Sequence, residues 1–99
     1  MIKHIVLFKL KEDLPENEKL QVMTNFKNAI ESLPAKIPFI REIEVGLNKN
    51  TAETWDIALY SVFDSLADVK AYSVHPDHVE AAKILANVKK DRSCVDYEI

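Results

Sequence analysis

Apolar side chains occupy both parities of the opening stretch Ile2-Lys3-His4-Ile5-Val6-Leu7-Phe8-Lys9-Leu10. One parity carries Ile2, His4, Val6, Phe8 and Leu10, the other Lys3, Ile5, Leu7 and Lys9. A period of two predicts a strand, and apolar centres on both parities predict that both faces are covered while the ends stay wet. The period then changes. Leu20, Met23, Phe26, Ile30 and Leu33 recur at steps of three and four, one apolar stripe of a helix. Pro15-Glu16-Asn17-Glu18 opens it with a proline and acids suited to a first turn, and Pro34 stops it. From Phe39 to Leu47 the chain alternates again, with Phe39, Arg41, Ile43, Val45 and Leu47 opposed to Ile40, Glu42, Glu44 and Gly46. Asn48-Lys49-Asn50-Thr51 is a turn-rich connection, and Trp55 to Phe63 is a third strand with neither face wholly polar.

A short helix is predicted from Ser65 to Ser73, with Leu66, Val69 and Tyr72 at three-residue steps. Ser65 is its N-cap, and Asp68 stands where a capping box places an acid. Pro76 disfavours helix at His75 and starts a second helix, with His75 as its cap. There Val79, Ala82, Lys83 and Ala86 form one line and Ile84, Leu85 and Val88 a neighbouring one. Arg92 to Ile99 is the last strand, Ser93, Val95, Tyr97 and Ile99 opposed to Cys94, Asp96 and Glu98.

The order β-α-β-β-α-β predicts an α+β, ferredoxin-like sandwich: one four-stranded antiparallel sheet with its helices on one face. The other face would then be open, yet it carries Ile5, Leu7, Ala58, Tyr60 and Val62. A soluble monomer does not leave such a patch wet. The expected partner is a second copy, the two sheets closing face to face into a dimeric α/β barrel; a different protein on the same face is the alternative.

Ninety-nine residues make one small domain, residues 1–99, that buries roughly 60–70% of its unfolded surface, so pairing would help a thin core. A composition 47% hydrophobic and 29% charged is ordinary for a globular protein. A single glycine argues against phosphate-cradling loops and against disorder. The net charge of −3, with no basic run longer than Lys89-Lys90, argues against nucleic acid as a partner. No apolar run approaches ~20 residues, and Met1 runs straight into the first strand, so no membrane span, signal peptide or transit peptide is expected. A lone Cys94 fits a reducing compartment or is simply neutral, and reads as a packed strand residue; the expected location is the cytoplasm. No Cys/His spacing resembles a zinc site, and no serine has the setting of a nucleophile elbow; neither a metal nor a cofactor is expected.

The chemistry gathers in Lys70-Ala71-Tyr72-Ser73-Val74-His75-Pro76-Asp77-His78. Phenols and imidazoles are the groups most used to pass protons near neutral pH, and here they flank a forced helix break. Tyr72 lies on the apolar line of the short helix. It is either a packed ring or a donor to an oxyanion. His78 falls about three residues into the second helix, where the dipole disfavours an imidazolium while Asp77 and Glu80 favour it. His75 reads as a cap. His4 shares its strand face with Val6 and Phe8 and reads as a buried, satisfied histidine that could share a cavity with His78. Asp96 reads as a surface or cap residue able to orient a histidine. Trp55 and Tyr60 read as core or interface aromatics, Glu42 and Glu44 as a solvated face.

The opening strand, the Tyr72…His75-Pro76-Asp77-His78-Val79 segment and the terminal Val95-Asp96-Tyr97 together resemble the stress-responsive A/B barrel (Dabb) family over nearly the whole chain. The related dimeric α/β-barrel families, antibiotic-type monooxygenases among them, are a weaker match. The resemblance implies the βαββαβ fold and a sheet-to-sheet homodimer. A plant polyketide cyclase of the family condenses a linear substrate without a cofactor. Its catalytic pair matches Tyr72 and His78, and its cavity implies ligand-binding roles for His4, Val6, Phe8, Leu59 and His75. Val22, Met23, Ser73 and Ala81 stand where that cyclase has bulky aromatics, so its substrate is not carried over. Two functions follow as expectations. One is cofactor-free acid–base conversion, or binding, of a small carbonyl compound. The other is a non-catalytic structural or stress-response homodimer. A haem- or oxygen-using monooxygenase is weaker, with no axial-ligand pattern in the sequence.

Overall fold

The computed structural model describes residues 1–99. Strand β1 (Ile2–Leu10) leads into helix α1 (Glu16–Glu31), strands β2 (Glu42–Leu47) and β3 (Ile57–Phe63), helices α2 (Leu66–Val74) and α3 (Pro76–Ala82), and strand β4 (Lys89–Glu98). Short 3-10 turns at Leu33–Ala35 and Lys83–Leu85 follow α1 and α3. The strands form one antiparallel sheet in the order β2-β3-β1-β4. This is the ferredoxin-like fold that the alternation of periods predicts, with the longest strands, β1 and β4, side by side.

Register decides which residues face the helices. Val45, Leu59, Val6 and Cys94 lie across the sheet in one row, and Ile43, Ser61, His4 and Asp96 in the next. Residues directly opposite in an antiparallel pair point to the same face, so both rows lie on the helix side, where Val6, Val45, Leu59 and Ser61 are buried. Phe26 and Ile30 of α1, Val69 and Tyr72 of α2, and Ala81 and Leu85 pack onto them. The opposite face carries Glu44, Tyr60, Ile5 and Val95 in one row. There Val95 and Tyr97 are 55% and 43% exposed.

The edges of the elements depart from the alternation in instructive ways. The second strand begins at Glu42 rather than Phe39. Pro38 has no N–H to give a ladder, and the Ile40 N–H turns back to the Ile37 carbonyl at 3.2 Å, which buries both isoleucines. The third strand begins at Ile57 rather than Trp55. Asp56 is held there by its carboxylate, which accepts the Leu10 N–H at 2.8 Å and pairs with Lys19 at 2.8 Å. The last strand begins at Lys89, earlier than Arg92. Leu20, at the start of the predicted stripe, is exposed, whereas Phe26 and Ile30 carry the burial of α1. After Ala82 the 3-10 turn tightens the period to three, which turns Leu85 inward and leaves Val79 outside. Ser65 caps α2 as expected, its hydroxyl accepting the Asp68 N–H at 3.2 Å. No helix is long and apolar enough to cross a membrane.

Candidate active site

Two elements meet at the helix break. His75 is extended (φ −62°, ψ 135°), as a residue before proline prefers, and it ends α2. Its Nδ1 accepts the Asp77 N–H at 3.1 Å and so caps α3. Tyr72, one turn before the break, is 1% exposed and stacks beside Phe63 at 5.0 Å between ring centroids. Its hydroxyl is buried and has no hydrogen-bond partner. Burial pushes the phenol's pKa well up, so it stays a protonated donor. His78, in the first turn of α3, lies 4.4 Å from the Tyr72 ring. Its Nδ1 donates to the Ser73 carbonyl at 3.0 Å, which leaves Nε2 with a free lone pair. Burial, the largest influence, pulls this imidazole below its ordinary 6.5; the Ser73 carbonyl opposes the shift. At neutral pH His78 is therefore a neutral ring able to accept a proton.

The sheet contributes the opposite wall. His4 is 7% exposed and meets Tyr72 edge-on, 6.2 Å between centroids. Its register partner Asp96 accepts a hydrogen bond from Nδ1, which orients the ring. On the other side, the Ser61 hydroxyl donates to the His4 carbonyl at 3.2 Å. The Cys94 thiol sits 3.6 Å from His4 Nδ1, and burial, then the nearby Asp96 carboxylate, push its pKa up. His4, Cys94 and Asp96 thus bring a nitrogen, a sulfur and an oxygen within 4.8 Å of one another, a grouping that sequence spacing did not suggest. A cation there would have to displace the proton His4 shares with Asp96.

Between the two walls lies a cavity of about 120 Å³. His4, Val6, Phe8, Leu59, Tyr72 and His78 all line it, so the fold brings together six of the seven residues singled out in the sequence. His75 is the exception. Its ring caps α3 and is not among the residues that line the cavity. Of the positions where bulky aromatics would be expected, only Ser73 lines the space; Ala81 is buried elsewhere in the core. Phe26, Ile30, Ala82, Leu85, Lys89 and Arg92 complete the lining. Phe26 and Ile30 belong to the same helical stripe as the core and carried no separate signal.

A family model, the Stress responsive A/B Barrel Domain, matches residues 2–99. The chain belongs to the Dabb family. Among curated relatives, this Dabb domain is 31% identical over 97 residues to the stress-response A/B barrel domain-containing protein DABB1 of Arabidopsis thaliana, covering 98% of this chain but 46% of that protein. It thus spans under half the length of that relative. It is also 25% identical over 81 residues to the olivetolic acid cyclase of Cannabis sativa, covering 79% of this chain and 76% of the cyclase. Among solved structures, a dimeric protein of ferredoxin-like fold from Bacteroides fragilis is 66% identical, with TM-score 0.98 over 99% of this chain and 95% of that one.

Proposed function

We propose that this Dabb domain binds and converts a small carbonyl compound without a cofactor. His78 is the base and Tyr72 the donor to the developing oxyanion. The observation that carries this reading is Tyr72, which lines the cavity while its hydroxyl is buried and bonded to nothing. A buried hydroxyl without a partner costs about 1–3 kcal/mol, and a ligand oxygen would supply the missing acceptor. In the reaction, the bond between the α-carbon and its hydrogen breaks and the proton passes to Nε2 of His78. The electron pair moves into the carbonyl, and the Tyr72 hydroxyl bonds the oxygen as charge develops there. His4, held by Asp96, shapes the same wall. A relative named olivetolic acid cyclase matches 79% of this chain at 25% identity. The cavity of about 120 Å³ suits a smaller substrate than an extended polyketide, since an apolar cavity of about 150 Å³ holds benzene.

The test needs no natural substrate. Exchange of the α-protons of 2-butanone in D₂O, followed by NMR, should be accelerated by the protein. It should fall roughly 10²–10⁴-fold in His78→Ala and clearly in Tyr72→Phe. Unchanged exchange in both variants would remove the mechanism.

The cavity's modest volume favours a second reading, a non-catalytic homodimer in which the histidines only cap and pack. Exchange no faster than buffer, with His78→Ala costing only stability, would select it.

The domain also pairs with a second copy through the open sheet face. Ile5, Leu7, Tyr60, Val95 and Tyr97 supply an apolar patch there, and the Bacteroides fragilis relative is dimeric. Sedimentation should give twice the chain mass, and Val95→Glu should halve it.

A further inference from the structure

We infer that the cavity takes a carbonyl compound bearing an acid group, its anion held at the mouth by Lys89 and Arg92. This rests on the reading that the cavity binds a carbonyl compound, and it names the class.

Lys89 and Arg92 are the only charged side chains lining the cavity, and no carboxylate lines it. In a chain with 16 acids against 13 bases, that local excess of positive charge is unlike the surface as a whole. Neither takes part in an ion pair, whereas the chain's other arginine, Arg41, is clamped by Asp64 at 2.9 and 2.7 Å. Their common placement is not what strand parity gives. Residues three apart on a regular strand point to opposite faces. Here the pairing of β1 with β4 runs Phe8 with Arg92 and Lys9 with Asp91, then Leu10 with Lys89, passing over Lys90. Phe8 and Leu10 share the helix side, so this bulge puts Lys89 and Arg92 on that side together, and Lys90 pairs instead with Glu12 at 2.8 Å. Bulges commonly re-aim a side chain next to a functional site.

The two cations also fit the chemistry. Arg92 lies near enough to His78 to oppose a positive charge on its ring. An anion seated between Lys89 and Arg92 offsets that field. A guanidinium and an ammonium lining one cavity hold a carboxylate by charge-assisted hydrogen bonds while the apolar wall of Val6, Phe8 and Leu59 takes the carbon skeleton.

The experiment follows the His78 ring signals by NMR while benzoate or its neutral isostere benzamide is added to the native chain. The titrations are repeated with the Lys89→Gln, Arg92→Gln double variant. Both side chains are exposed, so the variant keeps its fold. Benzoate should saturate the shift at a roughly three- to tenfold lower concentration than benzamide in the native chain, and the two should converge in the double variant. Equal affinities in the native chain, a benzoate preference surviving the double substitution, or no movement of His78 with either compound would overturn the inference. Binding is read without turnover. A charge preference with no butanone exchange therefore upholds the anion site and removes the proposed base chemistry, while exchange with no charge preference does the reverse.

Discussion

The two walls of the cavity are buried to similar depths but finished differently. On the sheet wall the buried side chains His4 and Ser61 both have partners: Asp96 holds His4, and the Ser61 hydroxyl is bonded to the His4 carbonyl. On the helix wall the Tyr72 hydroxyl has none, and His78 keeps a free Nε2. A satisfied buried group adds to stability, whereas an unsatisfied one costs stability until something arrives to bond it. The buried His4–Asp96–Ser61 part of the sheet wall therefore reads as scaffold and the helix wall as the reacting surface.

Substitution should separate the two walls by sign. After the loss expected of His78→Ala, the largest effect belongs to Tyr72→Phe. It should lower α-proton exchange by about 10²–10³-fold, as losing one oxyanion donor does, while raising unfolding stability by about 1 kcal/mol because an orphaned hydroxyl is gone. Denaturant melts beside exchange rates check both. A fall in stability would mean that the hydroxyl has a partner after all. Next comes Asp96→Ala on the sheet wall, which strands the buried His4 ring and should cost about 1–3 kcal/mol; Asp96→Asn, which keeps an acceptor, should cost less. Equal losses from the two would show that the carboxylate's charge, rather than its acceptor, matters.

The smallest effect is in the pH profile. Because burial holds His78 below 6.5, the unfolded chain binds a proton that the folded one refuses between that lowered value and 6.5. This contribution to stability is fully present above pH 6.5, declines as the pH falls through the window, and is gone below it. Activity should follow the same acid limb and be level above it. Melts from pH 5 to 8 on the native chain and on His78→Ala should differ in slope only below 6.5.

The sequence made the sheet legible because its alternation is long: two parities of β1 and the switch from period two to steps of three and four name the elements and the covered face. The Tyr72–His78 pair was legible for a different reason, since proline fixes local geometry without help from the rest of the chain. What stayed hidden depends on register. Asp96 reads as a surface residue until β1 and β4 are aligned and it falls opposite His4. Lys89 and Arg92 sit at odd spacing and would be assigned to opposite faces; only the bulge between Lys9 and Leu10 brings them together. β2 starts later than alternation predicts because Phe39 and Ile40 have strand-like side chains in a segment whose hydrogen bonds form a turn. Parity reports which face a residue takes within one strand, and says nothing of what the neighbouring strand sets beside it.

Pro76 shapes more than the path of the chain. Had α2 continued, the Asp77 N–H would have gone to the Ser73 carbonyl, four residues back. With the helix interrupted, that N–H goes to His75 instead, and the vacated carbonyl takes the proton on Nδ1 of His78. An imidazole that must keep a hydrogen on one nitrogen presents a lone pair on the other. The His78 ring thus owes its tautomer to a proline two positions away, and replacing Pro76 by a residue that lets the helix run on would return the Asp77 N–H to the Ser73 carbonyl and release Nδ1 of His78.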